Sequence, residues 1–200
     1  MYAIDGTIAN VALPHMQGGL SAGSDQITWV LTSFIVAQAL ATPLVGWVAD
    51  RIGRKRLLLI SIASFTTASA ACGLALNLEQ MILFRVIQGL AGAAFVPLSQ
   101  TILFDINPPE KHAQAMSIFG AGVVLGPILG PFLGGWLTET LNWRWVFLVN
   151  LPVGVLAFLI LVVAFVPIPM IAISADHSFE IVTEQDTNAS IAAGGWRQFS

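Results

Sequence analysis

The chain is short of charge. Its 200 residues include eight Lys or Arg and eleven Asp or Glu, 10% of the total, against roughly 25% in an ordinary soluble domain. So few charges cannot cover a water-soluble globule of this size, while 56% of positions are hydrophobic and mean hydropathy is +0.81. A net charge of −3 supplies no basic face for nucleic acid. The high hydrophobicity excludes disorder. Cysteine is nearly absent as well: Cys72 stands alone, so no intrachain disulfide reports an oxidising compartment. The opening Met1-Tyr2-Ala3-Ile4-Asp5 lacks the basic region of a cleaved signal peptide. His15, His112 and His177 lie far apart without metal-ligand spacing, and no Gly-x-Ser-x-Gly or phosphate-cradling glycine loop occurs. Neither an enzyme nor a bound metal or cofactor is expected. What remains is an integral membrane protein.

The missing charges also mark the spans. Asp, Glu, Lys and Arg are absent from 26–49, 57–78, 86–104, 112–138 and 145–175, each gap long enough, or nearly so, to cross a hydrocarbon core of ~30 Å. Helices are expected over about 27–49, 57–77, 81–104, 113–137 and 144–168. The apolar stretch over about 1–16 would reach only ~24 Å at ~1.5 Å per residue, and reads as the outer part of a first helix whose beginning is missing. Six spans are therefore expected, the first truncated.

If the loops alternate sides, one side collects Arg51, Arg54, Lys55, Arg56 and Lys111 and the other only Arg144. The positive-inside rule assigns the basic side to the cytoplasm of a cell inner (plasma) membrane. Trp29, Trp47, Trp136, Trp143 and Trp145 fall near the expected helix ends, as an aromatic belt would. Residues 169–200 form a polar, acidic tail with Asp176, Glu180, Glu184 and Asp186 against Arg197, cytoplasmic on this orientation. Phe179 to Thr183 alternates weakly like a strand, and Asn188-Ala189-Ser190 matches a glycosylation sequon that a cytoplasmic tail would not use.

Four groups of residues carry chemistry. Gly46-Trp47-Val48-Ala49-Asp50-Arg51-Ile52-Gly53-Arg54-Lys55-Arg56 closes the second span and opens the third. A turn this tight favours Gly53, which tolerates positive φ. Asp50 at a helix C-terminus should seek a cationic or helix-N-terminal partner. Arg85 stands inside the fourth span, with Gln88 and Gly89 about one turn on. An intramembrane arginine costs at least ~2.5 kcal/mol, so it pairs, faces water or snorkels to the interface. Asp5 would lie ~16 Å from the outer end of its helix. There desolvation disfavours the charged form, a condition suited to loading and releasing a proton. A frayed chain start would instead leave it wet. The fifth span repeats glycine at Gly122, Gly126, Gly130 and Gly134, with Gly135 adjacent and Pro127 and Pro131 between. Spacing of four lets another helix approach closely, and the prolines are expected to bend the helix.

These residues resemble the N-terminal half of a major facilitator superfamily transporter, in the drug/proton antiporter branch with fourteen spans (EmrB/QacA type). Asp5 to Pro14 resembles its first-span motif, Gly46 to Arg56 its cytoplasmic-loop motif and Leu83 to Gly89 its fourth-span arginine motif. Gly126 to Gly135 resembles its antiporter motif, and Trp143 to Gly154 its sixth-span opening. The fold implied is a six-helix all-α membrane bundle over 1–168. The resemblance further implies that Asp5 and Arg85 take part in proton coupling. Gly46, Asp50, Arg51, Gly53, Arg54 and Lys55 would form a cytoplasmic gate motif in which Asp50 and Arg54 help latch the gate. Gly126, Pro127, Gly130, Pro131, Gly134 and Gly135 would control leak and bending. It implies export of amphipathic drugs or other small toxic molecules in exchange for protons. The partners would be the lipid bilayer, a missing C-terminal half or second copy, a periplasmic adaptor protein and an outer-membrane channel. Half a transporter cannot alternate access alone, so the competing expectation is a non-transporting remnant that only packs with other membrane helices.

Overall fold

The computed structural model describes residues 2–165, and within them every regular element is helical. The tail over 169–200, the alternation at Phe179 to Thr183 and the sequon at Asn188 lie outside the described residues. The helices are α1 (Tyr2–Gly19), α2 (Ser24–Ile27), α3 (Trp29–Ala41), α4 (Val45–Ile52), α5 (Arg54–Leu74), α6 (Leu78–Gly92), α7 (Phe95–Ile106), α8 (His112–Thr140), α9 (Trp145–Leu148) and α10 (Asn150–Phe165).

Several combine into longer rods. Among the described residues, Ser24–Ile52, Arg54–Leu74, Leu78–Ile106, Pro109–Thr140 and Trp145–Val163 are long and apolar enough to cross a membrane. The first of these holds a 3-10 turn at Thr42–Leu44, where Pro43 brings no N–H to the ladder. α8 runs as one helix of 29 residues with Pro127 and Pro131 inside it, where each ring leaves one rung of the ladder without its N–H. Over the expected first span stands α1, 18 residues long. Its Asp5, Asn10, His15 and Gln17 lower its hydropathy, and it is not among those five stretches.

Caps and turns follow the local chemistry. Gly53, at φ +90° and ψ 138°, is the single residue between α4 and α5, a backbone conformation that a Cβ disfavours. Asn77 Oδ1 accepts from Gln80 N at 2.9 Å while Gln80 Oε1 accepts from Leu76 N at 3.1 Å, which caps the start of α6. Arg144 Nη1 donates to Gly73 O at 2.9 Å and Ala75 O at 2.7 Å, closing the C-terminal end of α5.

Two apolar clusters hold the unit that ends at Val162. One surrounds the inner face of α1, where Ile8, Ala12 and Met16 meet Val30, Phe147 and Cys72. The other lies toward the basic end and includes Ala49, Leu58, Ile62 and Leu98. The outer surface is apolar too: Leu40 is 69% exposed and Phe132 73%, an arrangement suited to hydrocarbon rather than water. Trp29, Trp47, Trp136 and Trp145 are exposed, whereas Trp143 is buried against Gly19.

Candidate functional site

Close packing of α1 between α8 and the α3–α6 pair places the site. The glycines of α8 make the first approach possible. A Cβ on Gly126 would meet Ala3 Cβ at 2.6 Å, one on Gly130 would collide with Thr7, and one on Gly134 would press on the Ile8 backbone at 3.2 Å. Gly122 and Gly135 have nothing within 4 Å, so three of the four spaced glycines form the contact. Thr7 Oγ1 completes it with a bond to Gly126 O at 3.4 Å. On the other side, a Cβ on Gly89 would collide with the Phe34 carbonyl, so α6 rests directly on α3.

Between these contacts lies a fully enclosed polar network. Asp5 is 1% exposed, and Arg85 and Gln88 are 0% exposed. Neither a wet chain start for Asp5 nor a snorkelling Arg85 describes these side chains. Arg85 Nη1 donates to Asp5 Oδ2 at 2.7 Å and to Gln88 Oε1 at 2.8 Å, and its Nε donates to Val30 O at 3.0 Å. Asp5 Oδ1 accepts from Gln88 Nε2 at 3.1 Å and from Asn150 Nδ2 at 2.6 Å. Asn150 Nδ2 also lies 3.1 Å from Ser69 Oγ, which donates to Phe147 O at 2.8 Å. Cys72 Sγ donates to Gln88 Oε1 at 3.8 Å. The Arg85 guanidinium lies 4.3 Å above the Phe34 ring, a favourable setting for a desolvated cation.

The ion pair is thus held by residues from α1, α3, α5, α6 and α10. Burying two opposite charges is tolerable only with additional hydrogen bonds of this kind. Both Asp5 oxygens are bonded, but Arg85 Nη2 has no partner among the described residues, nor does the buried Ser33 hydroxyl.

A cavity of about 640 Å³ adjoins the network. Asn10 and Thr7 from α1, Gln38 and Phe34 from α3, Pro127 from α8, and Arg85 itself line it. A second cavity, of about 540 Å³, lies among α5, α7, α8 and α10 with an apolar wall that includes Leu58, Phe95 and Ile106.

At the basic end, Arg54 Nη1 pairs with Asp105 Oδ2 at 2.8 Å, both side chains being about half exposed at 47% and 55%. Asp50, expected to seek a cationic or helix-N-terminal partner, is exposed on α4 and bonds to nothing among the described residues. Arg51 lies 3.8 Å from the Trp47 ring centre. Lys55 is exposed on the first turn of α5, and Gly46 has open space around it.

Charge within an apolar segment singles out Asp5 and Arg85 in the sequence. Asn150, Ser69 and Asp105 escape that criterion. Asn150 carried the same signal in weaker form, as an amide at the head of an uncharged stretch. Ser69 is one hydroxyl among several in α5 and carries no distinguishing signal. Among the described residues, no three His, Cys, Asp or Glu side chains gather into a metal-binding group.

Comparison with known proteins places this geometry in context. The family model for the Major Facilitator Superfamily matches residues 1–199. Multidrug export protein EmrB of Haemophilus influenzae is 46% identical over 160 residues, covering 80% of this chain and 31% of that protein. EmrB of Escherichia coli is 44% identical over 155 residues, 78% of this chain and 30% of the relative. Fatty acid resistance protein FarB of Neisseria gonorrhoeae is 43% identical over 157 residues, 78% and 31% respectively. The chain therefore spans about a third of the length of these relatives. Among solved structures, a bacterial homologue of the human lysosomal transporter Spinster, inward-facing and unoccupied, matches at a TM-score of 0.64 with 26% identity. That match covers 81% of this chain and 40% of the other.

Proposed function

The chain belongs to the Major Facilitator Superfamily, and on that premise we propose that it forms the N-terminal bundle of a proton-coupled antiporter. Its cargo would be amphipathic drugs or other small toxic molecules. The observation that carries this reading is the Asp5–Arg85 pair, enclosed at 2.7 Å within an apolar bundle. Intramembrane ion pairs mark ion and proton paths. A proton on Asp5 removes the negative charge beside Arg85 Nη1, while Gln88 Oε1 still accepts from Nη1 and Val30 O from Nε. The pair thus has two electrostatic states with a common framework, as a coupling site requires.

The close contact of α1 with α8 fixes the depth of Asp5, so the glycines at 126, 130 and 134 act as spacers for the coupling carboxylate. The basic end, with Arg51, Arg54, Lys55, Arg56 and Lys111, faces the cytoplasm of the inner membrane by the positive-inside rule. There Arg54–Asp105 serves as the latch. A C-terminal bundle or a second copy supplies the opposite wall for alternating access.

The test is dye export from efflux-deficient cells expressing the chain alone and together with a C-terminal bundle, with proton release followed in inverted vesicles. Export driven by an imposed pH gradient is expected with the second bundle present, and Asp5→Asn should abolish the gradient dependence. A correctly inserted assembly that moves no dye, with or without a gradient, refutes transport. Unchanged gradient-driven export by Asp5→Asn removes Asp5 from coupling.

A further inference from the structure

Three groups hold the Asp5 carboxylate: Arg85 Nη1 on Oδ2, and the amides of Gln88 and Asn150 on Oδ1, at 3.1 Å and 2.6 Å. All three donate, which suits a carboxylate. A protonated carboxyl has an O–H of its own that needs an acceptor, and a buried donor left without one is costly. Where a proton settles on Asp5 therefore depends on which neighbour can change from donor to acceptor.

A guanidinium has no acceptor, so Arg85 cannot receive a proton's hydrogen bond from Oδ2. Gln88 is locked in the sense it already has. Its Oε1 accepts from Arg85 Nη1 at 2.8 Å and from Cys72 Sγ at 3.8 Å, and turning the amide over would set its NH2 against the guanidinium. Asn150 has no such lock. Besides Asp5, its Nδ2 bonds among the described residues only to Ser69 Oγ, at 3.1 Å, and a hydroxyl both donates and accepts. Turning the Asn150 amide over brings Oδ1 to where Nδ2 stood. Ser69 follows by swinging its O–H from Phe147 O to Asn150 Oδ1. Asp5, Ser69 and Asn150 are all buried, so the exchange is made among them rather than with bulk water.

We propose that Asn150 is the positioning residue for the proton on Asp5: the proton sits on Oδ1, and the Asn150 amide turns over to accept it, taking the Ser69 hydroxyl with it. The inference rests on the proton-coupling reading above and extends it to residues that carry no charge. The proton comes from water and forms one O–H bond on Asp5; the amide and the hydroxyl only rotate. The carbonyl released, Phe147 O, belongs to α9, so a proton taken up on α1 is felt where α9 meets α10. Arg85 from α6 and Cys72 from α5 are the other titratable groups in the network, and α3, α8, α9 and α10 bring none to it among the described residues.

The test is infrared difference spectroscopy between neutral and acid pH on the chain carrying isotope-labelled asparagine side-chain carbonyls. Nanodiscs of ether-linked phosphatidylcholine, which has no ester carbonyl, leave the acid band visible, and empty discs are subtracted. A protonated-carboxyl band that disappears in Asp5→Asn identifies the acid form of Asp5. The labelled amide band is expected to move to lower wavenumber with the same pH midpoint, as its carbonyl gains the acid O–H. In Asn150→Ala that amide change should vanish and the acid band should move to higher wavenumber, with helicity by circular dichroism retained. If that variant does not fold, the labelled wild-type band decides by itself. An Asp5 acid band with no accompanying amide change, or one that Asn150→Ala leaves in place, overturns the proposal alone. No Asp5 acid band at any pH that preserves helicity overturns both the proposal and proton coupling at Asp5. Paired acid and amide changes without gradient-driven dye export uphold the amide reversal and overturn the transport reading.

Discussion

Asn150 and Asp5 meet at 2.6 Å, although 145 residues separate them in the chain. The amide at the head of α10 holds the same carboxylate oxygen that Gln88 holds from α6. Asn150→Ala removes one of three hydrogen bonds to the carboxylate and leaves a charged acceptor short of a partner. A loss of about 1–3 kcal/mol is expected, read as a lowered unfolding midpoint in detergent. Ser69→Ala should cost less, because Asn150 retains its bond to Asp5 without it.

The ion pair is best tested as a cycle. Asp5→Asn or Arg85→Gln alone leaves a buried charge uncompensated and should destabilise the bundle by about 3–5 kcal/mol. The double variant should lose clearly less than the sum of the two, and the shortfall measures their coupling. Additive losses would show that the 2.7 Å contact contributes nothing beyond its separate parts.

The glycines of α8 divide into two classes. Gly126→Ala and Gly130→Ala push a methyl into Ala3 and Thr7 and should destabilise by about 1–3 kcal/mol. Gly122→Ala meets open space and should be neutral or stabilising by up to ~1 kcal/mol through helix propensity. Thermal unfolding of the three variants side by side checks the contrast.

At the basic end, Arg54→Ala should change stability by no more than about 1 kcal/mol, since half-exposed ion pairs contribute little. Gly53→Ala should cost about 1–3 kcal/mol, because its φ of +90° with ψ of 138° is a region few other residues enter. A large transport defect in Arg54→Ala, with an unfolding midpoint near that of the wild type, would assign the Arg54–Asp105 pair to gating rather than to folding. The charge-swapped variant Arg54→Asp with Asp105→Arg should restore export.

Much of this architecture is legible in the sequence because hydrocarbon forbids charge. The uncharged gaps locate the long helices, and charges inside them locate Asp5 and Arg85. Helix spacing puts Gln88 on the Arg85 face, and the chemistry of tight turns picks Gly53. What periodicity cannot convey is which helices touch. Arg54 finds Asp105, 51 residues away, instead of nearby Asp50, because the choice depends on how α5 stands against α7. Trp143 lies at a helix end as the belt pattern expects, yet it is buried against Gly19. Neither the interface with α1 nor its depth is encoded in local composition. Asn150 was hidden for a similar reason: an amide carries no formal charge, so the criterion that exposed Asp5 passed over its partner.

The enclosed network also has a history during synthesis. Asp5 is made 80 residues before Arg85 and 145 before Asn150, so at roughly 5–20 residues per second it waits about 4–16 s for its counter-ion to be translated. The α1 segment is consequently translated well before the arginine that pairs with its carboxylate. Only when α10 delivers its amide does the carboxylate have the full set of donors seen among the described residues. Closure of that ring therefore joins the earliest and the latest made of the described helices in one event.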